Sequence, residues 1–168
     1  MYHSSSRPPS PPPFRPTVAG CVGRDTHLAT MLGECANAAL YAFCAHTYRS
    51  LLCESTDTAC ARLFEALAAE AAELMRAFGR LQQATGGNPV VRGAIRVQPH
   101  PLPPEGADRC ALAVEALCRE AICDTKAWID LCQTVMGRTQ DRVVRSCLAA
   151  ILSDLQRQSE RLAHAVKE

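Results

Sequence analysis

Two carboxylates stand on lines of otherwise uncharged, mostly apolar side chains. Over residues 26 to 53, alternating three- and four-residue steps pass through Met31, Glu34, Ala38, Tyr41, Ala45, Tyr48 and Leu52. Over 107 to 136 a similar line runs Cys110, Val114, Leu117, Ala121, Asp124, Trp128, Leu131, Val135. If Glu34 and Asp124 faced each other in a core, at least one would keep its proton at neutral pH, through desolvation and like-charge repulsion. Two carboxylates without imidazole hold a divalent transition metal weakly, because nothing completes its coordination sphere. The simpler role is that of stripe-edge acids that reach water or pair with Tyr41 or Gln158. Changing Glu34 to Gln together with Asp124 to Asn is then expected to be neutral or stabilising, since an unneeded buried charge is removed.

Histidine adds little to this pair. His3 and His100 lie in proline-rich stretches, His46 and His164 fall off the apolar lines, and His27 is at a helix end. The ten cysteines are the other reactive set. They show no C-x-x-C pair and no Cys/His cluster of zinc spacing. A four-helix lumen lined by thiolates would suit Cu(I), a soft cation. Here, however, only Cys60 and Cys110 fall on apolar lines. Cys35, Cys44, Cys118, Cys132 and Cys147 flank them, Cys53 and Cys123 face outward, and Cys21 precedes the first helix. The thiols are expected to be reduced, mutually distant and packed as small hydrophobes.

The elements that carry these residues follow from composition. The chain has 168 residues, of which 48% are hydrophobic, 21% charged and 5% aromatic, the balance of one helical domain. Eighteen basic residues against seventeen acidic ones leave a net charge of +1, too little to recruit nucleic acid or anionic lipid. Residues 1 to 20 hold no apolar run of signal-peptide length, so a cytoplasmic, reducing location is expected, with neither nucleic acid nor membrane as partner.

All eleven prolines lie within residues 8 to 16 and 89 to 104. The intervals between them are free of this helix breaker and hold four expected helices, about 26–53, 57–85, 107–136 and 139–166. Asp57 and its neighbours offer cap oxygens to the second helix, and Gly137 suits the end of the third. Helix two presents Cys60, Phe64, Leu67, Ala71, Leu74, Phe78 and Leu81 on one line; helix four presents Val144, Leu148, Ile151, Leu155, Gln158, Leu162 and Ala165. Residues 1–25 form a Pro/Ser-rich arm that could dock a protein partner or a second subunit. The segment 86–106 is long enough to cross a bundle end to end, which divides the fold into two antiparallel hairpins, all-α, with a domain spanning 26–166.

Superposing the hairpins places Glu34-x-x-Asn37-Ala38-x-x-Tyr41 over Asp124-x-x-Ala127-Trp128-x-x-Leu131. It also places Glu70-Ala71-x-x-Leu74 over Asp154-Leu155-x-x-Gln158. With Phe78-Gly79-Arg80-Leu81, Gly86-Gly87-Asn88-Pro89 and Ile151-Leu152-Ser153-Asp154, this pattern resembles the ferritin-like superfamily. The likeness is to its rubrerythrin-like and manganese-catalase-like bacterial members, including spore-coat-associated ones. The resemblance implies two iron or manganese ions held by a Glu from helices one and three and a Glu-x-x-His from helices two and four. Carried over, Glu34 matches the first ligand and Asp124 is a shortened version of the third-helix one. Ala71 and Leu155 stand in place of Glu, and Leu74 and Gln158 in place of His. Four of the six ligands are therefore missing, and no cofactor is expected.

A second register takes Glu70 and Glu73 as a carboxylate form of the helix-two motif and would support an atypical iron or manganese oxidase, peroxidase or catalase. The reading that follows is a ferritin-like bundle without catalysis, a structural or interaction module. A homodimer is implied by the family alone.

Overall fold

The computed structural model describes residues 25–88 and 109–166, so the arm and most of the 86–106 segment lie outside the described residues, as do Cys21 and the side chain of Cys110. Four helices fill this region: α1 (Thr26–Cys53), α2 (Thr58–Ala84), α3 (Arg109–Arg138) and α4 (Arg142–Ala165). No strand occurs among the described residues.

Aspartate starts three of the helices. The side chain of Asp25 accepts from the Leu28 amide at 2.9 Å, Asp57 from the Cys60 amide at 2.9 Å, and Asp141 from the amides of Val143 and Val144 at 2.8 and 3.0 Å. Each satisfies donors that the first helical turn leaves without an intrahelical acceptor. Gly137, expected to end the third helix, lies inside α3, which continues through Arg138. The stop comes instead at Thr139, whose hydroxyl accepts from the Asp141 amide at 3.2 Å.

At the end of α2 the chain turns through Gly86, which has φ 82°, a conformation that disfavours side chains with a Cβ. The next glycine is fixed by packing. A Cβ on Gly87 would lie 2.8 Å from the Ala29 Cβ and 3.0 Å from the Gln82 carbonyl oxygen. Gly87→Ala should therefore push the end of α2 off the start of α1 and lower stability by about 1–3 kcal/mol, the usual range for overpacking. At Gly33 the atom in the way is the Nε2 end of the flexible Gln82 side chain, so Gly33→Ala should cost less. Urea denaturation of the two variants, with Gly33→Ala the more destabilised, would contradict this.

α1 packs along α2 and α3 along α4; between these hairpins α1 lies on α3 and α2 on α4. Chain direction follows from the contacts. The Ser50 hydroxyl donates to the Ala61 carbonyl across α1 and α2, Arg49 reaches Asp124 across α1 and α3, and Gln158 reaches Glu70 across α4 and α2. Each of these pairs of helices is antiparallel. The end of α2 therefore lies beside the start of α1, whereas the early α3 residue Cys118 lies beside Cys60, at the start of α2. The chain leaves α2 at one end of the bundle and enters α3 at the other, about 40 Å away for a 27-residue helix. That is the connectivity of two hairpins with one crossover, as in ferritins, and it excludes the simple up-down bundle.

The apolar lines of α2 and α4 are buried as read, with only Ala165 partly open. The line of α1 is buried only at Met31 and Ala45. A fuller buried row runs Leu28, Leu32, Cys35, Ala39, Ala42, His46, Arg49 and Cys53, one step round the helix from the expected set. One residue is 100° of rotation, so Glu34 and Leu52 turn outward and Tyr41 is only half-buried. α1 is long and apolar enough by composition to cross a membrane, but half of its most apolar window is buried inside the bundle.

Candidate functional site

The middle of the bundle is apolar. Ala39 and Ala42 from α1, Ala71 and Leu74 from α2, Trp128 from α3 and Leu155 from α4 belong to one buried cluster. The indole of Trp128 lies against Phe78, with ring centroids 6.3 Å apart. Thus Ala71, Leu74 and Leu155, three of the four positions where the resemblance implied a lost ligand, point into hydrocarbon. The fourth, Gln158, is buried at their edge and donates to Glu70 at 2.9 Å.

The two acids read as a facing pair are separate. Glu34 is exposed, in a cleft with Asn37, Gln82 and Asn88. Its neighbour Cys35 is hydrogen-bonded to Cys132, eight residues along α3 from Asp124. At about 1.5 Å per residue this puts Glu34 and Asp124 more than about 12 Å apart along the bundle. Glu70 accepts from Gln158 and, at 2.5 Å, from Arg161. Glu73 is exposed and paired with Arg76 on its own helix. Glu70 and Glu73 line one cleft with Asp154, Glu160 and His164, whereas Glu34 and Asp124 lie apart from it and from each other.

Asp124 instead meets a cation that the sequence reading passed over. Arg49, 2% exposed, donates from Nη2 to Asp124 at 2.5 Å, and Glu120 Oε2 lies 3.4 Å from the same nitrogen. Its other terminal nitrogen, Nη1, is 3.4 Å from His46 Nδ1. Guanidinium has no lone pair to accept with, so His46 Nδ1 is the acceptor and the ring is neutral. Burial, and then the charge of Arg49, lower the His46 pKa to about 3. The ring stacks on Phe64 at 5.8 Å between centroids. Tyr41 borders the cluster, and burial followed by the charge of Asp124 raises its pKa. The missed signal was in the composition of α1: Arg49 is the sole Lys or Arg between Thr26 and Cys53. A lone cation in an apolar helix has to find an acid on another element.

The thiols also depart from expectation. Cys53, expected to face outward, is buried, and its sulfur lies 3.7 Å from that of Cys60. Cys60 in turn lies 3.8 Å from Cys118. A second buried pair, Cys35 and Cys132, joins α1 to α3, and the Cys35 thiol is pushed up by its bond to Cys132 and by burial. These five thiols are neighbours rather than mutually distant. Cys123 is exposed as read, and the eight cysteines described are free thiols.

No protein-family model matches the chain, and no curated protein matches it. Among solved structures it is similar to a bacterioferritin from Rhodobacter capsulatus, at 17% identity and a TM-score of 0.53, over 85% of each chain. That structure is described as having a metal-free dinuclear site and haem iron. The chain is an all-α four-helix bundle with the ferritin-like fold. Its interior, as described above, is apolar at mid-height and charged toward one end.

Proposed function

We propose that this protein is a non-catalytic ferritin-like bundle, a structural or interaction module whose relation to the rubrerythrin-like and manganese-catalase-like proteins lies in architecture rather than chemistry. The observation that carries this reading is the buried cluster of Ala71, Leu74, Trp128 and Leu155 at mid-bundle. A di-metal centre needs inward carboxylates and imidazoles at that height, and hydrocarbon side chains offer a cation no lone pairs. The side chains present there do not fit two iron or manganese ions. Among the described residues, no group of three or more His, Cys, Asp or Glu side chains is arranged to hold a metal.

The reading is tested by offering the purified full chain Fe(II) in air, or Mn(II), and measuring retained metal and oxygen uptake after desalting. The expected result is less than one ion per chain and no uptake above buffer. Two ions per chain, lost on changing Glu70 and Glu73 to Gln, would establish the alternative of an atypical carboxylate oxidase, peroxidase or catalase.

A further inference from the structure

We propose that Cys60 is a hydroperoxide-reactive thiol that closes a disulfide to Cys53, with Cys118 as its proton acceptor. Three helices bring these sulfurs into a row of hydrogen-bond contacts: Cys53 closes α1, Cys60 lies in the first turn of α2, and Cys118 comes from α3. The Cys53 thiol donates to Cys60 at 3.7 Å, and Cys60 in turn lies 3.8 Å from Cys118. Accepting from Cys53 leaves Cys60 its own proton to donate, so the row ends on Cys118. That hydrogen bond lowers the Cys118 pKa from its ordinary value, against burial, and Arg49 lowers it further. The same contact raises the Cys60 pKa, so the resting pair carries its proton on Cys60 and its charge on Cys118. One proton transfer along the contact reverses the two and makes Cys60 the thiolate, the form that attacks peroxide.

Access separates the three thiols. Cys53 and Cys118 are fully buried, whereas Cys60, 5% exposed, lines a cleft of about 480 Å³ with Asp57, Leu63, Arg161 and His164. A hydroperoxide entering that cleft meets Cys60 first. The Cys60 sulfur attacks one peroxide oxygen, the O–O bond breaks, and the departing hydroxide takes the proton held on Cys118 and leaves as water. Cys60 is left as a sulfenic acid, which condenses with a thiol. The Cys53 sulfur attacks it, the S–S bond forms, the S–O bond breaks, and the Cys53 proton leaves with the hydroxide as a second water. Two thiols have then given two electrons to one peroxide. Cys53 rather than Cys118 closes the bond because of where the helices run. α1 and α2 are packed neighbours whose ends meet at this turn, whereas α2 and α3 stand diagonally across the bundle. Closing from 3.7 Å to a bond of about 2.05 Å shifts only the last residue of one helix and the first turn of the next. The reaction runs once per chain and does not depend on the reading of the bundle as a structural module.

The test treats the reduced full chain with hydrogen peroxide under anaerobic conditions, alkylates the remaining thiols and reads the tryptic digest by mass spectrometry. Cys53 and Cys60 share the peptide 50–62, which holds no other cysteine. The first disulfide should form within that peptide, which then loses two hydrogens and escapes alkylation. Cys53→Ser should stop at the sulfenic acid, trapped on Cys60 by dimedone. Cys118→Ser, or Cys118→Ala if the serine variant fails to fold, should slow the reaction about 100-fold, the low end of what a positioned base supplies, and still give the same disulfide. Cys35→Ser and Cys123→Ser should change neither rate nor product at this peptide. A first disulfide between Cys60 and Cys118, a peptide 50–62 that stays fully alkylated, no dimedone adduct on Cys60 in Cys53→Ser, or an undiminished rate without the Cys118 sulfur would each overturn the proposal.

Discussion

Neutralising Asp124 and Glu120 together, by Asp124→Asn and Glu120→Gln, should cost about 3–5 kcal/mol of stability, the range for removing one side of a buried ion pair. The asymmetry of exposure sets the size of the effect. Arg49 is 2% exposed, whereas the side chains of Asp124 and Glu120 are 28% and 38% exposed. Once the acids are gone, the guanidinium cannot shed its proton and has no route to bulk water. Arg49→Met in the same background should therefore restore most of the loss, because it removes the uncompensated charge and keeps an unbranched apolar chain in the core. Urea denaturation of the three proteins at pH 7 measures both steps, and a loss below about 1 kcal/mol in the double variant would show that the guanidinium finds solvent. This reverses the expectation drawn from the sequence for Asp124→Asn. That expectation supposed an unpaired acid facing Glu34, and Asp124 is paired with Arg49 instead.

A second large effect is in the pH dependence. The His46 pKa is about 3 in the folded bundle against 6.5 in the unfolded chain. Below pH 6.5 the unfolded chain therefore takes up a proton that the folded one refuses, until about pH 3. Stability attributable to this ring is complete above pH 6.5 and falls as pH drops, by about 1.4 kcal/mol per unit within that window. His46→Gln keeps an acceptor toward Arg49 and does not titrate. Comparing the two proteins at pH 7 and pH 4.5 should show the wild type losing about 2–3 kcal/mol more than the variant. The carboxylates around Arg49 titrate in both and cancel in the difference. Parallel losses would mean that His46 gains its proton in the folded state.

Fold class, helix number and the crossover were legible because they rest on strong local signals. Prolines mark the breaks, aspartates mark the starts, and α2 and α4 each have one apolar line and a charged back. Of the residues named for the site, Ala71, Leu74 and Leu155 are buried on the lines where the sequence puts them. α1 explains the rest. Phe43, Tyr48, Leu51 and Leu52 lie on its exposed side, so apolar residues surround the helix and periodicity does not choose a register. His46 and Arg49 fall off the expected line, and both are buried. Their burial depends on Phe64, Glu120 and Asp124, partners on other helices whose placement no local pattern encodes. The thiol cluster failed for the same reason, since Cys53 inherits the register of α1.

The opposite ends at which α2 stops and α3 begins also order the assembly in time. Within the first hairpin, Ser50 and Ala61 meet across eleven positions of sequence, whereas Arg49 and Asp124 must meet across seventy-five. Closing the short loop costs less chain entropy, so each hairpin can condense before the two dock. The buried guanidinium is then the latch of the late step. It contributes little to the speed of collapse and much to how long the docked halves stay together.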